Sequence, residues 1–257
     1  MKRKMHSLLL LLIGATCLST GFADPLDLYG LQGKTHSAVI PLPRTDTDWW
    51  MPRHERILKR VAEGNVDMIF IGDSITHSWE TKGKEVWDRY YASRNAVNMG
   101  FSGGKTGSVL WQIEQGEIDG ISPKLAVLMI GTNNRNRAEE TADGIKAIVQ
   151  QLRTRLPNTK ILILAIFPRG CYEDRGSPDV LESGMNDLWA ANQQVNEIVS
   201  KIADGATIHY LDIGPAFLNE GKVLRKYMPD FLHPNAEGYQ IWAEAMEPTI
   251  KELLDKK

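Results

Sequence analysis

The chain has 257 residues, 42% of them hydrophobic and 24% charged, with a formal charge of −2. This is ordinary soluble composition, long enough to bury a core without disulfide or metal staples, and it suits one α/β domain with short extensions. A slightly acidic protein with no basic run lacks the electrostatic footprint of a nucleic-acid binder.

The amino terminus reads as an address rather than as fold. Lys2, Arg3 and Lys4 form a positive head, Leu8 to Leu18 is almost wholly apolar, and Gly21-Phe22-Ala23 offers small residues before a cut at Asp24. That order predicts a signal peptide over residues 1–23 and a secreted or periplasmic protein. A membrane anchor is the alternative, but the apolar run falls well short of the ~20 residues a span needs. A lipoprotein signal ending at Cys17 has Thr16, a poor residue, before its cut. No later segment is long enough to cross a bilayer. Loss of the leader leaves Cys171 as the only cysteine, so no internal disulfide is expected. Without a histidine near it in sequence, Cys171 reads as a passive thiol. Residues 24–50, punctuated by Pro25, Pro41 and Pro43, read as an arm lying on a domain that spans residues 51–257.

Within that domain strand and helix signals alternate. Apolar, β-branched runs predict strands over 66–71, 96–98, 125–130, 160–167 and, more weakly, 207–211. Runs apolar on both faces suit parallel strands covered on each side. Between them, Ala142, Ile145, Ile148, Val149, Leu152 and Leu156 recur at helical steps until Pro157 stops the helix. Helices are also predicted over 75–90, 109–117, 186–203 and 236–254. The sum is a three-layer α/β/α sandwich around a flavodoxin-like, five-stranded parallel sheet.

Ligands bind beyond the carboxyl ends of such strands. Gly72-Asp73-Ser74, Ser102-Gly103-Gly104 and Gly131-Thr132-Asn133-Asn134 follow the first three strands, and Asp230-Phe231-Leu232-His233 precedes the last helix. Ester hydrolysis needs an attacking hydroxyl, a base for its proton and donors for the developing oxyanion. Ser74 at a strand-to-helix turn supplies a hydroxyl and its own amide. Gly103 brings a second amide close because it has no side chain. Asn133 adds a side-chain donor. His233 is the natural base, with Asp230 to hold its ring. Asp212 is a rival acid better suited to a turn. Asp73 reads as shaping the nucleophile turn. His36, His54, His77 and His209 read as structural or solvent-facing. The tryptophans read as core or arm packing, with Trp189 alternatively on a sugar-binding rim. Gly103-Gly104-Lys105-Thr106 fails as a phosphate loop, because the glycine that motif needs five positions before Gly104 is Met99. No metal-ligand spacing is present.

These four blocks resemble the SGNH, or GDSL, hydrolases, and the chain looks similar to the catalytic subunits of the intracellular platelet-activating-factor acetylhydrolases. The resemblance runs from Trp49 to Leu254. It implies Ser74 as nucleophile, Asp230 and His233 as the rest of a triad, and Ser74, Gly103 and Asn133 as the oxyanion hole, with neither metal nor cofactor. It also implies short acyl groups, acetyl above all, on a small-molecule or glycan ester. Three features depart from it. Gly104 stands where many relatives carry Asp, residues 171–188 are longer and more acidic, and the leader differs from the cytosolic subunits. Acyl transfer to a sugar hydroxyl and a non-catalytic glycan-binding module are the competing readings; the first uses the same residues, and the intact set argues against the second.

Overall fold

A computed structural model describes residues 27–170 and 185–255. The expected leader, Cys171 and most of the long acidic segment lie outside them. Five strands form one parallel sheet: β1 (Met68–Gly72), β2 (Ala96–Gly100), β3 (Leu125–Met129), β4 (Lys160–Leu164) and β5 (Ile208–Leu211), in the order β2-β1-β3-β4-β5. That is the flavodoxin-like order. β1 is the switch point, pairing Gly72 with Gly100 on one side and with Met129 on the other. Loops leaving β1, β2 and β3 therefore emerge side by side at one edge.

Strand alternation sorts the apolar runs between two cores. Ile69, Ile71, Ala126 and Leu128 face one layer, whereas Met68, Phe70, Leu125 and Val127 face the other. The first layer is covered by α1 (Trp50–Ala62), α4 (Thr106–Glu114) and α5 (Ala138–Arg155), with Val195 and Val199 of α6 (Asp187–Ser200) joining it. The second takes α2 (Ser74–His77), α3 (Lys84–Tyr90) and α7 (Ala236–Asp255). A two-strand hairpin, β6 (Leu218–Asn219) and β7 (Lys222–Val223), lies between β5 and α7.

Two expectations need correction. The helix expected over 75–90 is broken into α2, a 3₁₀ turn at Ser78–Glu80, and α3. The break lets fully buried Trp79 sit against Tyr91, Tyr239 and Trp242, with ring centroids 5.4, 4.5 and 4.9 Å away. Helix α1 has no counterpart in the sequence reading. Its inner face mixes Trp50, Ile57 and Val61 with buried Arg53 and His54, so no clean apolar stripe marks it. Arg53 is satisfied by Glu80 and by the carbonyls of Gly100 and Asn98, and His54 by Glu117 at 2.7 Å.

The described part of the arm, residues 27–49, runs across the heads of α5 and α4. Asp143 receives Lys34, the Leu42 amide donates to the Gly107 carbonyl at 3.0 Å, and Thr106 Oγ1 donates to the Ala38 carbonyl at 2.7 Å. Gly107 permits this approach, since a Cβ there would stand 2.5 Å from the Ile40 carbonyl. No helix among the described residues is long and apolar enough to cross a membrane.

Candidate active site

Ser74 opens α2 directly after β1, so its amide has no helical acceptor four residues back. Asp73 caps that helix, its Oδ1 accepting the Ile75 amide at 2.9 Å. This carboxyl is fully enclosed. Burial pushes its pKa up to about 6, against the opposing pull of the Ile75 amide and the nearby His233 and Arg169 charges. Asp73 therefore shapes the turn.

From the far side of the chain, the loop before α7 brings His233 Nε2 to 2.9 Å from Ser74 Oγ. Its Nδ1 lies 2.8 Å from Asp230 Oδ2. The other oxygen, Asp230 Oδ1, accepts the amides of Leu232 at 3.1 Å and His233 at 2.8 Å. Burial opposes ionisation of Asp230. The His233 ring and these amides outweigh it and hold the carboxyl well below the usual carboxylate range. An ionised Asp230 fixes the Nδ1–H tautomer and leaves Nε2 free to accept a proton from Ser74. Phe231, in the middle of the loop, is fully buried and adopts φ +55°, a left-handed conformation rare for phenylalanine. Its carbonyl accepts the Gly170 amide at 2.7 Å. Backbone strain held in place by packing is a recurrent feature of functional loops.

The donors come from the neighbouring strand ends. After β2, Phe101 to Gly104 form a turn closed by the Gly104 amide on the Phe101 carbonyl at 2.8 Å, a bond that does not use the Gly103 amide. Gly103 sits at φ +70°, and a Cβ there would meet Arg44 Nη1 at 2.2 Å. After β3, Asn133 Nδ2 donates to the Gly104 carbonyl at 3.1 Å, tying the two loops together. A carboxamide has two N–H donors, so one remains for a substrate oxygen. Asn134 is buried and structural, accepting the Thr106 amide at 3.0 Å and donating to Thr106 Oγ1 at 2.6 Å.

Thus Ser74, His233 and Asp230 form one hydrogen-bonded chain, and Asn133 reaches the turn that holds Gly103. The sequence reading missed the braces of that turn. Arg44 of the arm donates to the Ser102 carbonyl at 2.9 Å, and His77 Nδ1 lies 2.9 Å from Ser102 Oγ and 3.3 Å from the Ser102 amide. Burial and then the Arg53 charge lower the His77 pKa to about 4, keeping the ring neutral. No motif marks an arginine thirty residues before the nucleophile. Asp212 accepts the Gly214 amide at 2.8 Å, the turn role expected of it. The rim alternative for Trp189 is overturned: it is 3% exposed and packed in the second core. Among the described residues, no group of three or more His, Cys, Asp or Glu side chains is placed to hold a metal.

Comparisons with known proteins identify the family. The profile of the GDSL-like Lipase/Acylhydrolase family matches residues 70–241. The platelet-activating factor acetylhydrolase IB subunit alpha2 of Rattus norvegicus is 33% identical over 231 residues, covering 88% of this chain and 95% of that protein. Among solved structures, a Streptococcus pneumonia protein named for platelet activating factor superposes with a TM-score of 0.64 at 22% identity, covering 79% of this chain and 95% of its own. Est24, a carbohydrate acetylesterase from Sinorhizobium meliloti, superposes with a TM-score of 0.53 at 15% identity, covering 74% of this chain and 100% of its own. These two structural likenesses bear on the fold alone.

Proposed function

The chain belongs to the GDSL-like lipase/acylhydrolase family and is an ester hydrolase, and from that premise we propose that it is an exported enzyme removing short acyl groups, acetyl foremost, through an acyl-enzyme on Ser74. The observation that carries this reading is the continuous line Ser74 Oγ–His233 Nε2–His233 Nδ1–Asp230 Oδ2, with contacts of 2.9 and 2.8 Å. Ser74 Oγ attacks the ester carbon while its proton passes to His233 Nε2. The carbonyl electrons move onto oxygen, held by the amides of Ser74 and Gly103 and the side chain of Asn133. Collapse expels the alcohol oxygen, which takes the proton from His233. Water then repeats the sequence in reverse and releases the acid.

The relative named a platelet-activating factor acetylhydrolase suggests acetyl as the group removed. The expected leader favours a substrate met outside the cytoplasm, a carbohydrate or lipid ester. The test is hydrolysis of p-nitrophenyl esters of graded length by the mature protein. Acetate should turn over faster than long acyl chains, and Ser74→Ala should abolish turnover while shifting stability by less than about 1 kcal/mol. A preference for long chains would remove the short-acyl assignment, and turnover retained by Ser74→Ala would remove the acyl-enzyme.

A further inference from the structure

Beside the oxyanion donors the structure holds an open cleft of about 660 Å³ that shares Gly103 and Asn133 with the site above. Three cations from three different elements stand on its walls: Arg44 of the arm, Lys105 at the head of α4, and Arg135 just beyond Asn134. Among the described residues, Asp46 is the one acid of the lining. It already grips Arg44, at 3.2 Å from Nε and 3.0 Å from Nη2. With the Ser102 carbonyl on Nη1, Arg44 uses three of its five N–H donors and keeps two. Lys105 and Arg135 are exposed, and among the described residues neither has a carboxylate at ion-pair distance. The lining thus carries an uncompensated positive charge in a chain that is acidic overall.

Arg135 adds a second, independent sign. It is held at φ +57°, a conformation that glycine or asparagine adopts with far less strain. A long cation fixed at such a position on the lip of an oxyanion hole points to a task for its charge.

Because the cleft adjoins Gly103 and Asn133, an ester seated on those donors has room for one substituent in it. A short acyl group is uncharged and far too small to fill it, so the alcohol half is the part the cleft receives. The walls combine amides, hydroxyls and these cations with a comparable area of apolar surface, to which Leu42 and Pro43 contribute. The cations and hydrogen-bonding groups match a hydroxyl-rich anion. The geometry points to an acetyl ester of an acidic sugar as the substrate, its carboxylate held by Lys105, Arg135 and the free donors of Arg44. The inference rests on the ester-hydrolase reading of Ser74. In the reaction Ser74 takes the acetyl group, the sugar oxygen takes the proton from His233, and water supplies the oxygen that leaves in acetate.

The test compares kcat/KM on acetylated oligogalacturonides and on acetylated xylo-oligosaccharides, using the full mature protein. The acidic substrate is expected to be favoured by about tenfold or more at low salt. That ratio should fall toward one in Lys105→Ala/Arg135→Asn and in about 0.5 M NaCl, where surface charges are screened, and should survive in Lys105→Arg. The asparagine suits the left-handed backbone, and a thermal melt of each variant separates lost recognition from lost folding. Equal rates on the two sugars, a preference for the neutral one, or a ratio untouched in a well-folded double variant would overturn the inference. So would faster turnover of an acetylated glycerophosphate lipid than of either sugar. Ser74-dependent hydrolysis of p-nitrophenyl acetate distinguishes the two failures: with it intact, only the acidic-sugar assignment falls.

Discussion

The chemistry of this molecule is concentrated in residues whose protonation is set by their surroundings. Asp230 and Asp73 are both carboxyls within the site, yet they are driven in opposite directions. Asp230 accepts a ring and two amides, which hold it ionised. Asp73 is enclosed, and burial raises it to about 6 against the Ile75 amide and the charges of His233 and Arg169. Because the folded pKa of Asp73 lies above its ordinary 3.8, the native state binds the extra proton between those values and loses stability as pH rises through them. The displacement of roughly two units corresponds to a cost on the order of 3 kcal/mol above about pH 6. Asp73→Asn keeps an acceptor for the Ile75 amide and removes the buried charge. It should melt higher than the parent at pH 8 and lose that advantage near pH 4. An advantage that is independent of pH would show that Asp73 does not titrate in the fold. The four blocks themselves were legible one residue at a time, because Gly-Asp-Ser, the glycine turn, Gly-x-Asn and Asp-x-x-His each need particular residue types at short range. Arg44 and His77 were not. Their partners are the carbonyl, hydroxyl and amide of Ser102, and a residue chosen to meet such groups across the fold leaves no pattern in the chain.

At the level of elements, the loop after β2 is the part most dependent on its neighbours. It is gripped by Arg44 from the arm, by His77 from α2 and by Asn133 from the loop after β3. Gly103→Ala would place a methyl group on the guanidinium of Arg44 and force alanine into a left-handed conformation costing about 1–2 kcal/mol. Turnover should drop about 10²-fold as one oxyanion donor moves, while the melt falls only modestly. Unchanged kcat in a folded Gly103→Ala would mean that this amide holds no oxyanion. Regular elements were legible wherever one periodicity ruled, as in β1, β3, β4 and α5. They were illegible where tertiary demand overrode it. Helix α1 turns Arg53 and His54 inward to meet Glu80 and Glu117, and the stretch after Ser74 gives up one long helix so that Trp79 fills the space beside α7.

Across the whole molecule, strand order decides which loops meet. With β1 flanked by β2 and β3, blocks separated by up to 159 positions in sequence close on a single hydrogen bond between Ser74 and His233. The five parallel strands followed from five apolar runs, since buried parallel strands tolerate little else, whereas their order is not written in those runs. Nor is the route of the arm, because its contacts are backbone carbonyls and scattered polar groups. The proposed export belongs to this scale too: the positive head, apolar run and small-residue cut predict a mature form beginning near Asp24, detectable by terminal sequencing of periplasmic or culture protein. An intact Met1 in that fraction would contradict it.

The proposed reaction depends on an activated hydroxyl at Ser74. Treatment with a fluorophosphonate, followed by peptide mapping, should place one adduct on Ser74 in the parent protein and none in His233→Ala of equal stability. Labelling at another residue, or undiminished labelling of Ser74 without His233, would contradict it.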